Sequence, residues 1–274
     1  MSLSNGHKLT PGNILAGAAA WELMFLGSRL FVKTLARHRR SLVLAKDEGE
    51  RDAKWRKLER EGPSYVVAGV HALLVGARGA YHLVTLVGVP TPMQFAMPTA
   101  GSALYSLTEA TEVTNAIFFS WIIYDVCHVV FSFPRLGSWD TLAHHLCFAF
   151  TAAVCGAYRV LPFPFGWLIC GELSTPFLNL RWLLINSGRG DSKLAQKTNV
   201  VFGLLFMATR MLLYGSGLAH LGYNRAVLFD QTSLVPKPLL YTTLALFVAA
   251  YGLNMLWMSK ILKMARGGGK RKAK

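Results

Sequence analysis

Seven long apolar runs constrain this chain more than any other feature of its sequence. Each is close to the roughly 20 residues that a helix needs to cross the hydrocarbon core of a bilayer. A chain in lipid must satisfy its backbone polar groups internally, so such runs predict helices rather than open sheets. The runs are 14–36, 64–89, 116–133, 139–159, 162–186, 198–221 and 239–262. We therefore predict an all-α, polytopic membrane protein with about seven transmembrane helices.

The composition agrees with a membrane protein and argues against a soluble one. Of the 274 residues, 53% are hydrophobic and only 16% are charged, and the mean hydropathy is +0.35. The net charge of +15 is concentrated between the apolar runs and at the C-terminus, whereas a nucleic-acid-binding protein would spread it over a folded surface. We expect no nucleic-acid partner. No cleavable signal peptide is expected either, because the chain is polar up to Pro11.

The distribution of basic residues predicts the orientation of the chain. Lys and Arg are frequent in 37–62, 134–140, 187–197 and the C-terminal tail, whereas 91–115 contains none. Basic loops remain in the cytosol, so we expect a lumenal N-terminus and a cytosolic C-terminus. Residues 45–61 are predicted to form a polar helix on the membrane surface. Two polar stretches, 91–115 and 222–238, are predicted to be loops, the first with a short helix near 106–114.

Ionisable side chains inside the apolar runs are candidates for a functional site, because they are expensive to keep in lipid. The densest group is W-D-T-L-A-H-H-L-C-F at 139–148. Asp140 and His144 are four residues apart and share a helix face, and His145 is rotated from His144 by about 100°. The other candidates are Asp125, His128, Glu172, Arg181 and Arg210. Pro176 is predicted to kink the fifth run, and the role of Arg181 depends on that kink.

Further polar residues have either a structural or a functional interpretation. Glu22 and Arg29 share a face of the first run and are predicted to pair. His71, Arg78 and His82 form one stripe on the second run, which either packs against other helices or lines a polar cavity.

Neither a metal centre nor a disulfide is predicted. The four cysteines all lie in apolar runs and are interpreted as buried free thiols. A metal site built from His128, His144, His145 and an acid has suitable ligand types. Membrane lipid desaturases and hydroxylases use several histidine clusters, however, and this chain has one His-His pair, so no bound metal is expected.

Five stretches together resemble the TLC domain, the family of translocating-chain-associated, longevity-assurance and ceroid-lipofuscinosis proteins. They are K-W-R-K-L at 54–58, S-Y-V-V-A-G-V-H at 64–71, I-I-Y-D at 122–125, W-D-T-L-A-H-H at 139–145 and G-E-L-S-T-P-F-L-N-L-R-W at 171–182. The pattern is most similar to the small TLC domain-containing proteins. The resemblance divides the chain into an N-terminal segment with the first helix and a basic loop (1–53), a TLC domain (54–263) and a basic cytosolic tail (264–274). It implies a helical barrel or bundle in the endoplasmic reticulum membrane and a role in lipid metabolism.

The ceramide synthase branch of that family implies acyl transfer from acyl-CoA to a long-chain amine. By motif position, His144 and His145 would be base or nucleophile, with Asp140 before them. Glu172 would orient the imidazole with support from Asp125, and Arg181 or Arg210, with His128 nearby, would hold a phosphate or the thioester oxygen. The chain departs from that branch in two ways: it has Glu172-Leu-Ser-Thr175 where the ceramide synthases have an Asp-rich stretch, and it lacks their homeobox-like insert.

Two functions therefore remain open from the sequence. The first is an acyl-CoA-dependent acyltransferase with acyl-CoA as co-substrate and no resident cofactor. The second is a non-catalytic protein that binds lipid, adjusts membrane composition or escorts cargo, its polar groups forming a structural network between helices. A transporter is disfavoured, since no inverted repeat is visible. The expected partners are membrane lipids, a long-chain acyl-CoA or other lipid substrate, and a second copy of the chain in a homodimer. The K-x-K-x-x ending at Lys270 and Lys272 is either an endoplasmic reticulum retrieval signal or an anchor on anionic lipid.

Overall fold

The computed structural model describes residues 8–39, 43–97 and 105–271, and helices form nearly all regular structure there. The helices are α1 (Pro11–Arg39), α2 (Glu48–Leu86), α3 (Thr91–Phe95), α4 (Tyr105–Phe131), α5 (Trp139–Tyr158), α6 (Pro162–Ile169), α7 (Thr175–Asn186), α8 (Lys193–Phe206), α9 (Tyr214–Tyr223), α10 (Arg225–Gln231) and α11 (Lys237–Arg271). A 3-10 turn (Cys170–Ser174) joins α6 to α7, and a π-helical segment (Met207–Leu213) joins α8 to α9. The all-α, polytopic prediction is confirmed. Lys272 lies outside the described residues, so the retrieval signal stays a prediction.

Six helical stretches of the described residues are long and apolar enough to cross a membrane, one fewer than the apolar runs. One of the six consists of α8, the π-helical segment and α9 together. The difference is the 162–186 run, which forms α6, the 3-10 turn and α7 instead of one continuous helix. Pro176 lies in the first turn of α7. A proline costs no helical hydrogen bond there, because the first backbone N–H groups of a helix have no intrahelical partner. The helix is therefore interrupted before Pro176, at the 3-10 turn, where the sequence had predicted a kink in one continuous helix.

The prediction of a separate surface helix at 45–61 is wrong. α2 continues from Glu48 to Leu86 without a break, so these residues form the first turns of the second spanning helix. The Asp47 carboxylate starts the helix by accepting a hydrogen bond from the backbone N–H of Glu50 at 2.8 Å. Pro63 lies inside α2, where it removes one backbone hydrogen bond without ending the helix.

Both stretches predicted as loops contain helices. α4 begins at Tyr105, so the short helix expected near 106–114 is the start of the third spanning helix. Thr108, Thr111 and Thr114 of this stretch are buried, and Thr111 donates a hydrogen bond to the carbonyl of Leu107 at 3.3 Å. A hydroxyl satisfied in this way is tolerated inside a helix. The second stretch contains α10.

Six chain segments form a closed ring. Around the ring, α2 contacts α4, α4 contacts α5, and α5 contacts α11. α11 contacts the π-helical segment and α9, α8 contacts α7, and α7 returns to α2. α1 lies outside the ring against α2 and α4. The interrupted 162–186 run is therefore a full member of the ring, whereas the first helix is an addition to it.

Glycines allow α2 to pack closely against the interrupted run. A Cβ atom on Gly79 would lie 2.9 Å from the backbone nitrogen of Cys170, and one on Gly76 would lie 2.9 Å from that of Leu173. Such distances are too short for any side chain. The backbone of the 3-10 turn therefore packs directly against the two glycines of α2. This contact fixes the depth at which the interrupted run sits in the ring.

The main hydrophobic core fills one half of the ring and leaves room in the other. It gathers around Trp167, Tyr214 and Phe247. Phe95 and Leu161 are fully buried at its end, where the backbone N–H of Leu161 donates to the carbonyl of Phe95 at 2.7 Å. This half is packed with aromatic and aliphatic side chains, which leaves space for a large cavity in the half next to the turn between α4 and α5.

A methyl group at Gly79 should destabilise the protein. We expect Gly79→Ala to lower the free energy of unfolding by about 1–3 kcal/mol, the usual cost of overpacking. Gly27→Ala in α1 is the matched control, because nothing lies within 4 Å of its added Cβ; the higher helix propensity of Ala should leave it neutral or slightly stabilising. Unfolding of the purified proteins in detergent measures both. Equal stabilities would contradict the close packing of α2.

Candidate functional site

A cavity of about 470 Å³ lies inside the ring. Its volume falls in the range of about 300–1,000 Å³ that is usual for ligand pockets. Leu136 and Thr141 line it beside the turn between α4 and α5, and Met264 lines it near the end of α11, so it occupies the half that the main core leaves free. More than half of its wall is aromatic or aliphatic. The ionisable side chains in the wall are Asp125, His128, His144, His145, Glu172, Arg210 and Lys260.

The two adjacent histidines face different neighbours. On α5, Nδ1 of His145 lies 3.1 Å from Oδ2 of Asp125 on α4, at ion-pair distance but without the alignment of a hydrogen bond. The His145 ring also meets the edge of Trp121, with ring centres 5.7 Å apart. Asp125 is therefore the carboxylate next to His145. The sequence had predicted Glu172 in that place, as the acid that orients the imidazole.

His144 packs against aromatic rings instead of a carboxylate. Its ring centre lies 4.6 Å from that of Phe148 and 5.1 Å from that of Trp257 on α11. Its Nδ1 is buried and has no hydrogen-bond partner in the described part of the chain. A buried ring nitrogen without a partner is costly, and His144 lines the cavity, so a bound polar group could satisfy it.

Glu172 and Arg210 bind each other at the inner end of the cavity. The Arg210 Nη2 donates to Oε1 of Glu172 at 2.8 Å, and its Nε donates to the carbonyl of Gly171 at 3.0 Å. In the 3-10 turn the backbone N–H of Thr175 bonds to Glu172, and not to Gly171 as it would in an α-helix, and the Gly171 carbonyl also accepts a hydrogen bond from the Ser174 hydroxyl at 2.9 Å. Ser174 and Thr175 accept further hydrogen bonds from Arg210 at 3.3 Å. Nε and Nη2 of Arg210 are thus both engaged with the interrupted run.

The predicted pairing of Glu22 with Arg29 is wrong. Oε2 of Glu22 on α1 lies 2.7 Å from Nε2 of His128 on α4, and Arg29 is exposed. The rings of Phe25 and Tyr124 pack on His128, with ring centres 4.7 and 4.5 Å away. Sequence reasoning missed this pair; the signal was an acid near the middle of an apolar run.

Two candidates from the sequence lie outside the cavity wall. Asp140 is exposed in the first turn of α5, where it accepts hydrogen bonds from Ser138 and, at 3.4 Å, from Nε1 of Trp257. It therefore contacts the cavity wall through Trp257, which also packs on His144. Arg181 is half-buried on α7 and makes no ion pair or side-chain hydrogen bond to the described residues.

The stripe of His71, Arg78 and His82 also lies outside the cavity wall. His71 is fully buried and stacks on Trp121, with ring centres 3.8 Å apart. Arg78 donates to the Thr114 hydroxyl at 2.6 Å, and Nε2 of His82 lies 2.7 Å from the same oxygen. These contacts hold α2 to α4 and favour the structural interpretation of the stripe.

The prediction for the cysteines requires one correction. All four cysteines are free; Cys155 and Cys170 are buried and Cys147 is half-buried, but Cys127 is exposed, contrary to prediction. Among the described residues, no three His, Cys, Asp or Glu side chains form a group that could hold a metal ion.

Comparisons with known proteins agree with the resemblance seen in the sequence. Residues 64–263 match the family model of the TLC domain. The chain is similar to TLC domain-containing protein 4-B of Xenopus laevis, with 25% identity over 206 residues that cover 74% of this chain and 73% of that protein. No solved structure matches. The matched region begins inside α2 and includes every ionisable residue in the cavity wall, while α1 precedes it.

Removing one member of the Glu172–Arg210 pair should be strongly destabilising. Glu172→Gln leaves a buried guanidinium without its carboxylate, and we expect the free energy of unfolding to fall by about 3 kcal/mol. Glu172→Gln combined with Arg210→Met removes both charges and should recover part of the loss.

Glu109→Gln supplies the matched control, because it makes the same chemical change in the half-exposed pair of Glu109 with Lys8. Its loss should be much smaller, since exposed pairs contribute little. Unfolding in mixed detergent micelles, followed by tryptophan fluorescence, measures all of these variants. A Glu172→Gln variant as stable as Glu109→Gln would show that the pair does not hold the interrupted run.

Proposed function

The chain belongs to the TLC domain family, and on that premise we propose that it is an acyltransferase that moves a long-chain acyl group from acyl-CoA to a lipid amine in its cavity. It is a multi-pass membrane protein, and TLC domains relate to lipid metabolism. The observation that carries the finer proposal is the His145–Asp125 pair, 3.1 Å apart in the wall of a largely apolar cavity. An acyl chain fits an apolar wall, and a carboxylate-supported imidazole can perform proton transfer.

The chemistry assigns His145 as the general base. As the amine nitrogen attacks the thioester carbonyl carbon, His145 accepts the proton from nitrogen and Asp125 stabilises the imidazolium that forms. The C–N bond forms, the C–S bond breaks, and the CoA thiolate leaves and takes up a proton. His144, with a buried ring nitrogen lacking a partner, is placed to bind a polar group of the substrate. Arg210 holds Glu172 and the 3-10 turn rather than a phosphate.

The position of the cavity supports a cytosolic approach of acyl-CoA. It lies in the half of the ring beside the 134–140 turn, and its wall includes Lys260 near the end of α11. The positive-inside rule assigns the basic segments at this end to the cytosol, with the N-terminus lumenal. We place the protein in the endoplasmic reticulum membrane on the strength of the family resemblance and the K-x-K-x-x ending, and a homodimer is a further proposal.

A second function, lipid binding without turnover, is favoured by one observation. The Glu172–Arg210 pair satisfies its own charges, as a structural network would. A cavity with such a closed pair can hold a lipid without reacting with it, and the protein would then adjust membrane composition by binding.

Comparing cellular lipids separates the two functions. Cells that express the intact protein, His145→Gln or His220→Gln at matched levels are profiled by mass spectrometry. His220 is the control histidine, because it packs on Phe95 and Phe163 outside the cavity wall.

We expect one amide-linked lipid class to rise with the intact protein and with His220→Gln. With His145→Gln it should fall to the level of cells without the protein, because the base is missing. If His145→Gln shifts the lipids as the intact protein does, the acyltransferase proposal fails and lipid binding takes its place.

A further inference from the structure

Glu22 is an unusual residue for its surroundings. It lies near the middle of α1, the helix outside the ring, and its side chain is 44% exposed. An acid in the hydrocarbon region costs several kcal/mol unless a partner compensates it. The partner is an imidazole and not a permanent cation: Nε2 of His128 lies 2.7 Å from its carboxylate. An imidazole can gain and lose a proton, so the pair can change its charge.

His128 connects this pair to the site. It lines the same cavity as His145, and it lies three residues after Asp125 on α4, so both positions are on one side of that helix. The cavity therefore has two carboxylate–imidazole pairs. Asp125 of α4 meets a histidine of α5, and His128 of α4 meets an acid of α1. Glu22 precedes the region that matches the TLC domain, which is 64–263.

Acyl transfer involves two proton transfers, and the two pairs can divide them. While His145 takes the proton from the attacking nitrogen, the C–S bond breaks and the thiolate needs a proton. A histidine whose ring nitrogen bonds to a carboxylate can carry the extra proton as imidazolium. We infer that His128, positioned by Glu22, donates the proton that the leaving thiolate takes up, and that α1 is thereby part of the active site. The inference rests on the acyl transfer proposed above.

The competing interpretation is that Glu22 merely pins α1 to the ring. Two other polar contacts between this part of the chain and α4 do so without touching the cavity wall. Nε1 of Trp21 donates to Ser120 at 3.3 Å, and Lys8 pairs with Glu109 at 2.9 Å. Glu109→Gln is thus a matched control for Glu22→Gln. It makes the same chemical change in an acid of α4 that pairs with Lys8, just before α1, and it lies outside the cavity wall.

The test uses membranes that contain the full-length protein, palmitoyl donors and octadecylamine as the acceptor. Initial rates of amide formation are measured with palmitoyl-CoA and with the 4-nitrothiophenyl ester of palmitic acid. The nitrothiophenolate leaves without needing a proton, whereas the CoA thiolate is helped by an acid. The variants are Glu22→Gln, Glu109→Gln and His145→Gln, with thermal unfolding checked for each.

We expect Glu22→Gln to lower kcat with palmitoyl-CoA by roughly 10²-fold, the lower range for general acid catalysis, with KM little changed. With the nitrothiophenyl ester the same variant should be close to the intact protein, and Glu109→Gln should be unaffected with both donors. An equal loss with both donors, or no loss with either, overturns the role of Glu22.

The outcomes also separate this inference from the proposed function. If His145→Gln abolishes transfer while Glu22→Gln does not affect it, the role of Glu22 and His128 fails and the acyltransferase stands. If His145→Gln keeps the full rate, or the intact protein forms no amide, acyl transfer by this site fails and the inference fails with it.

Discussion

The interaction of Arg210 with the interrupted run determines where the polar end of the cavity lies. A backbone carbonyl without a partner costs several kcal/mol inside a membrane. In the 3-10 turn at Cys170–Ser174, the Gly171 carbonyl lacks the Thr175 N–H donor that an α-helix would give it, and it accepts hydrogen bonds from the Ser174 hydroxyl at 2.9 Å and from Nε of Arg210 at 3.0 Å. Arg210 itself lies in the π-helical segment Met207–Leu213. The Arg210 side chain thus connects the two irregular helical segments.

The close contact between α2 and the 3-10 turn complements this interaction. Gly76 and Gly79 let the backbone of the turn approach α2, while Arg210 holds the turn from the opposite side. The turn cannot slide along the ring without losing one of these contacts. Glu172, on the turn, is therefore held at a fixed depth, and the aromatic core around Trp167 closes the space beyond it. The cavity is what remains on the other side.

The sequence predicted spans well and predicted contacts between them poorly. Length and hydropathy identify a spanning helix without knowledge of its neighbours, so the runs in α1, α2, α4, α5 and α11 correspond to helices. The interruption at 170–174 was interpreted as a kink at Pro176. The sequence does not show that Arg210, on another segment, forms hydrogen bonds to the interrupted run. The polar stretch 91–115 was predicted to be a loop, because hydrogen bonds from the α4 threonine hydroxyls to the helix backbone cannot be seen in composition.

In the site, too, the sequence predicted which residues share a helix face but not which residues of different helices contact each other. Fixed spacing on one helix put Asp125 with His128, and His144 with His145, and the structure brings all four to one cavity together with Glu172 and Arg210. Which carboxylate meets which imidazole depends on how the helices rotate against each other, and no spacing rule contains that information. Glu22 was therefore paired with Arg29 on its own helix, and Glu172 was assigned to the histidines. Asp140 and Arg181 share a motif with cavity residues but point to other surroundings.

The choice of partners separates structural polar contacts from those suited to chemistry. In the half of the ring away from the cavity, Glu112 is bonded by Arg159, and Arg78 binds a hydroxyl. In both contacts the donor is an arginine, whose planar guanidinium offers several N–H donors in a fixed geometry. In the cavity wall Glu172 also meets an arginine, whereas Asp125 meets the imidazole of His145, and Glu22 of α1 meets the imidazole of His128. An arginine in either place would bind the carboxylate more firmly and would hold the helices at least as well. Histidine at both positions gives up that strength, and an imidazole that can exchange a proton is what the acyl transfer proposed above requires.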